Sequence, residues 1–113
     1  MTMRVTRIAD AERFAPVGHE GVGPLRLQGG ASTPTDKFTV ALSHYLPGAA
    51  AELAPQDAET VYVLISGELV MSAEGVDEAL GPFDSVHFTT GTMRTVENKT
   101  NLPATMLVIR ATS

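Results

Sequence analysis

Residues 60–72 read Thr60-Val61-Tyr62-Val63-Leu64-Ile65-Ser66-Gly67-Glu68-Leu69-Val70-Met71-Ser72. Val, Tyr, Ile and Thr fill most of the first six positions, and these side chains suit a pleated, half-buried surface. Gly67 punctuates the run and marks a turn, so the stretch predicts two strands, Thr60–Ile65 and Glu68–Ser72. Strand residues alternate between faces, which puts Thr60, Tyr62 and Leu64 on one side and Val61, Val63 and Ile65 on the other. One face is apolar; the other carries a hydroxyl and a phenol. That pattern fits a barrel lumen holding a small-molecule site, and equally an apolar core that contains one tyrosine.

The same rhythm continues on both sides. Turn signals recur at Gly21–Pro24, Gly29-Gly30, Pro34–Asp36, Pro47-Gly48, Pro55, Glu74-Gly75, Gly81-Pro82, Gly91 and Pro103. Between them lie further strand candidates at Leu25–Gln28, Phe38–Leu46, Ser85–Thr89, Met93–Glu97 and Ala104–Arg110. Short strands at this spacing are what an all-β sandwich or barrel produces. Helix is confined to one turn over Ala11–Ala15, and Pro47-Gly48 with Pro55 are expected to hold Ala49–Leu53 as a loop or bend despite its helical propensity.

With 113 residues the chain has room for one hydrophobic core, so a single domain over 1–113 is expected, with the barrel at about 25–110. Hydrophobic residues make up 43% and charged residues 19%, a balance that folds. A net charge of −5 with scattered Lys and Arg argues against a nucleic-acid or anionic-membrane surface. The absence of cysteine removes disulfides, thiolate metal sites and cysteine nucleophiles. Met1–Asp10 holds no apolar run of signal-peptide length, and a cytoplasmic location is the expectation.

Residues 48–98 resemble the two motifs of the cupins, a family of small β-barrels. Gly48 and Gly67 stand at the glycine ends of the first motif, and Gly91 and Asn98 match the second. The resemblance implies an all-β, cupin-type double-stranded β-helix, a jelly-roll barrel. It also implies which positions hold the metal in the family, and here those positions are substituted. Ala54 and Gln56 stand for two histidines, Thr60 for the glutamate with Glu59 one residue earlier, and Arg94 for the last histidine. Phe83 and Thr89 replace a glycine and a proline of the second motif.

Ala54 has no lone pair, Gln56 and Thr60 are weak neutral donors, and Arg94 is a permanent cation that repels a metal ion. No cofactor is expected at these positions; a relocated metal site would draw on His19, His44, His87 and Glu52. Arg94 is expected in the lumen, needing either Glu59 or Glu97 or a ligand carboxylate as partner. Arg94, Gln56, Thr60 and Tyr62 are the candidate ligand-binding residues, with one of Arg26 and Gln28 added from an early strand. His44, which shares parity with Val40 and Leu42, and His87 are candidate acid or base residues beside Tyr62 as donor, each with a structural role as its alternative.

Three readings stay open: a binder of a small carboxylate or aromatic metabolite, a metal-independent lyase, isomerase or cyclase, and a structural or regulatory module with a filled barrel. A homodimer is expected from strand exchange or sheet packing, with Val22–Leu27 able to extend a neighbour's sheet.

Overall fold

The structure, a computed structural model, describes residues 3–14 and 18–112. A short 3₁₀ turn at Ile8–Asp10 precedes the strands β1 Glu12–Arg13, β2 His19–Gln28, β3 Phe38–Pro55, β4 Thr60–Ser66, β5 Leu69–Ala73, β6 Val76–Leu80, β7 Ser85–Phe88, β8 Met93–Glu97 and β9 Ala104–Ala111. Every ladder is antiparallel. The order β6-β5-β8-β3-β9-β4-β7, with β2 on β3 and β1 on β2, wraps into a nearly closed barrel. Among the described residues no helix is long and apolar enough to cross a membrane.

Strand β3 organises the barrel. Its first part, Phe38–Tyr45, pairs with β9, its last part pairs with β8 from Ala50 to Pro55, and β2 follows both. The strand bends at Gly48, whose φ of +81° is the left-handed conformation that glycine takes without a Cβ penalty. Ala49–Leu53 is therefore strand, not the loop or bend expected of it. Pro47-Gly48 deflects the chain instead of ending the ladder, and pairing of Ala50 and Ala51 to both β2 and β8 overrides the local helical preference.

The expected helical turn over Ala11–Ala15 is also absent from its described part, because Glu12 and Arg13 pair with Arg26 and Leu25; Ala15 lies outside the described residues. Val22–Leu27 belongs to β2, which starts at His19, earlier than expected. Strand β6 was not anticipated. Val76-Asp77-Glu78-Ala79-Leu80 is exposed except at Leu80, so no apolar alternation marks it. A two-residue turn joins it to β5, with Glu74 and Gly75 both at positive φ, the geometry that matches the twist of a hairpin.

The inward-facing side chains grade from apolar to polar along the barrel. Leu64, Met106 and Ala104 are fully buried at one end, with Leu69 and Val96 beside them in the core. Thr60, Arg110 and Thr39 line up across β4, β9 and β3 toward the other end.

The turn before β7 holds a non-glycine residue in glycine's conformation. Asp84 N–H donates to Gly81 O at 3.0 Å, Gly81 N–H donates to Asp84 Oδ2 at 2.9 Å, and Phe83 between them has φ +69° with its side chain 78% exposed. A β-carbon in that region costs about 1–2 kcal/mol. Phe83→Gly should accordingly raise stability in urea unfolding by about 1 kcal/mol. A loss of stability would show instead that the phenyl ring contributes contacts that outweigh the strain.

Candidate functional site

The four positions that hold the metal in cupins come together here, three of them as a hydrogen-bonded chain. Ala54 on β3 lies directly opposite Arg94 on β8. Arg94 Nε donates to Gln56 Oε1 at 2.9 Å, and Gln56 Nε2 donates to Thr60 Oγ1 at 2.7 Å. Thr60 in turn donates to Ala58 O at 3.0 Å, so its hydroxyl proton is committed and its oxygen must accept from the Gln56 amide. That fixes the Gln56 carbonyl toward Arg94. The Tyr62 hydroxyl makes a long 3.5 Å contact with the same carbonyl, and its ring meets Phe88 edge-on at 5.6 Å.

Arg94 is only 8% exposed, and its other partner is the backbone oxygen of Glu52, which accepts from Nη1 at 3.0 Å. Among the described residues it makes no ion pair. Glu59, one expected partner, is bound to His87 at 2.6 Å on the outer surface. Glu97, the other, stands on β8 beside Ala50 and Val70, on the strand face opposite to Arg94. The guanidinium is thus held by two neutral oxygens, and three of its five N–H groups are not used by these two bonds among the described residues.

These residues do not fit a metal ion. The Gln56 and Thr60 oxygens are already engaged, Ala54 contributes nothing, and the centre of the group is a cation. The relocated set does not converge either. His87 is on the outer surface with Glu59, and His44 Nδ1 bonds Thr105 Oγ1 at 3.0 Å on the barrel's outer face. His19 borders the lumen, and Glu52 is exposed.

Placement of His44 corrects the parity expectation. The lumen is lined by Ala41, Ser43 and Tyr45, while Val40, Leu42 and His44 face outward with Leu107 and Ile109. Both sides of this sheet carry apolar groups, so hydrophobicity alone could not choose the inner one. Of the candidates, Arg94, Gln56, Thr60 and Tyr62 are gathered at the lumen, and His44 and His87 stand outside it. Arg26 lines the lumen, its guanidinium 4.0 Å above the Phe14 ring, whereas Gln28 donates to Thr6 Oγ1 at 3.3 Å.

The cavity is about 120 Å³, small beside the 300–1,000 Å³ of sites for drug-sized ligands, so it suits one ring. It also gathers residues the sequence reading missed. Ser43 and Tyr45 line it, and both side chains are buried. Asp57, paired with Arg110, stands on its wall. Tyr45 could have been found from the parity of Ala41 and Ser43; Asp57 carries no local signal.

Burial pushes the Tyr45 phenol well above its usual range, the nearby Tyr62 adding to the shift and Arg94 partly opposing it. Tyr45 therefore stays a donor at neutral pH. Its contribution to stability is complete below the usual phenol pKa of about 10 and falls as pH rises above it, because the unfolded chain ionises first. Urea unfolding of the parent should weaken above that pH, and Tyr45→Phe should lose less; equal alkaline losses would assign the effect to another group.

Comparison with known proteins agrees with this geometry. A family model described as the Cupin domain matches residues 41–110. A β-D-galactosidase of Mycobacterium tuberculosis is 43% identical over 106 residues, covering 94% of this chain and 91% of that protein. Among solved structures, the polyketide cyclase RemF from Streptomyces resistomycificus superposes with a TM-score of 0.84 at 16% identity, over 100% of this chain and 81% of its own. A cupin-superfamily sugar phosphate isomerase from Silicibacter pomeroyi does so with a TM-score of 0.80 at 25% identity, over 95% and 74%. With the glycine frame retained, the barrel formed and the family model matched over most of its strands, the chain belongs to the cupin family.

Proposed function

We propose that the lumen is a metal-independent small-molecule site and that its ligand is a sugar, of the β-galactoside class named for the Mycobacterium tuberculosis relative. The observation that carries this reading is the hydrogen-bonding equipment of a one-ring cavity: the hydroxyls of Ser43 and Tyr45 line it beside Arg94, two of whose five N–H groups are used by Gln56 and Glu52. Ala41, Met106 and Val108 supply an apolar wall for the C–H face of a pyranose. The sugar phosphate isomerase likeness supports the same class. The small carboxylate expected from the sequence becomes, on this reading, one form of the sugar's own substituents.

Hydrolysis is the reaction the relative brings. Glycosidases commonly use a pair of carboxylates about 5–9.5 Å apart. Among the described residues lining this cavity, Asp57 is the one carboxylate, and it is held by Arg110. The geometry therefore supports binding more directly than a two-carboxylate hydrolysis, and Asp57 is the group on which hydrolysis would depend.

Titration of the metal-free protein with galactose and methyl β-galactoside, followed by NMR, should shift the Tyr45 and Tyr62 resonances. Arg94→Met should weaken binding by about 1.5–3 kcal/mol, the range for a hydrogen bond to a charged group. Any cleavage of a chromogenic β-galactoside by the parent should be lost in Asp57→Asn; cleavage retained in that variant would remove Asp57 from the reaction. No lumenal shift at millimolar sugar, or full sugar binding only after metal is added, would defeat the reading.

The homodimer belongs to the same proposal. Val40, Leu42, Leu107, Ile109, Val61 and Val63 form a half-buried apolar outer face across β3, β9 and β4, which sheet packing by a second copy would cover. Light scattering at micromolar concentration should give twice the chain mass; a monomer removes this part.

A further inference from the structure

We infer that the sugar is anionic, a monosaccharide carrying a carboxylate or phosphate that Arg94 holds, an inference resting on the reading of the lumen as a sugar site. In a chain of net charge −5, three arginines, Arg26, Arg94 and Arg110, are among the residues lining one cavity of about 120 Å³. Among the described lining residues Asp57 is their only carboxylate, and Arg110 occupies it. Arg26 rests on the Phe14 ring, a contact that favours the cation without neutralising it. Arg94 is the most buried of the three, and both its partners are neutral carbonyl oxygens.

A buried guanidinium without a counter-charge is costly, and a neutral sugar leaves that cost in place. An anionic substituent removes it. Carboxylate and phosphate both accept paired N–H bonds from an arginine fork, and Arg94 has three N–H groups that its bonds to Gln56 and Glu52 do not use. Gln56 holds the fork in orientation, because Thr60 fixes its amide. The cavity's size then limits the remainder of the ligand to one ring, with Ser43 and Tyr45 on the wall beside it. The positive charge that a divalent ion supplies in a metal-bearing cupin is here carried by the chain, at the position of the metal-binding histidine.

The test is a calorimetric comparison of galacturonate, galactose 6-phosphate, galactose, acetate and inorganic phosphate on the full chain. One of the two anionic sugars should bind about tenfold or more tighter than galactose, and the tighter one identifies the anion. Arg94→Met should abolish the preference, and Arg94→Lys, which keeps the charge without the fork, should retain part of it. Galactose binding as tightly as both anionic sugars overturns the inference and leaves the sugar reading standing. Acetate or inorganic phosphate matching the anionic sugars overturns the sugar reading, and this inference with it. Binding by none of the five also overturns both.

Discussion

The barrel depends on how one long strand is bent, and Asn98 holds the bend. Gly48 N–H donates to Asn98 O, and Asn98 N–H donates to Ala49 O, both at 2.9 Å, so the turning point of β3 is locked to the end of β8. The Asn98 side chain is fully buried. Its Nδ2 donates to Tyr45 O at 3.0 Å and Leu102 O at 2.7 Å, and its Oδ1 accepts from both the N–H and hydroxyl of Thr100. One amide therefore joins β3, β8 and the approach to β9. Without that bend the two halves of β3 could not serve β9 and β8 in turn, and Ala54 would not face Arg94.

The sequence made the frame legible because the residues that shape the backbone remain. Gly48, Gly67, Gly91 and Asn98 stand where a cupin needs them, and three of the four, the glycines, adopt positive φ. At Gly67 the need is steric as well, since a β-carbon would lie 2.7 Å from Pro103 O. Gln56, Thr60 and Arg94, which stand at the frame's ligand positions, are hydrogen-bonded together. Their neutral pairing was not legible: which oxygen meets the guanidinium depends on the bend in β3 that presents Glu52 O, and strand spacing does not encode it.

Other features were hidden for separate reasons. Strand β6 lies in a hairpin exposed almost throughout, so its stability comes from register with β5 and leaves no pattern in Val76–Leu80. The inner face of β3 was misread because Ala41 and Ser43 are smaller than Val40 and Leu42, which lie outside. The interior of a small barrel is narrow, so small side chains fit there and the larger aliphatic residues lie on the other face. Tyr45 and Asp57 escaped notice because neither occupies a motif position.

A guanidinium carried on β8 differs from a bound ion in one further respect. It arrives with the polypeptide. A metal is acquired after synthesis, in competition with every other protein that wants it, and can be stripped, exchanged or oxidised. Arg94 cannot be lost to a chelator, replaced by a neighbouring element of the Irving–Williams series, or changed in valence. The charge of this lumen is consequently the same in a metal-starved cell as in a replete one, and is complete as soon as β3 and β8 have paired.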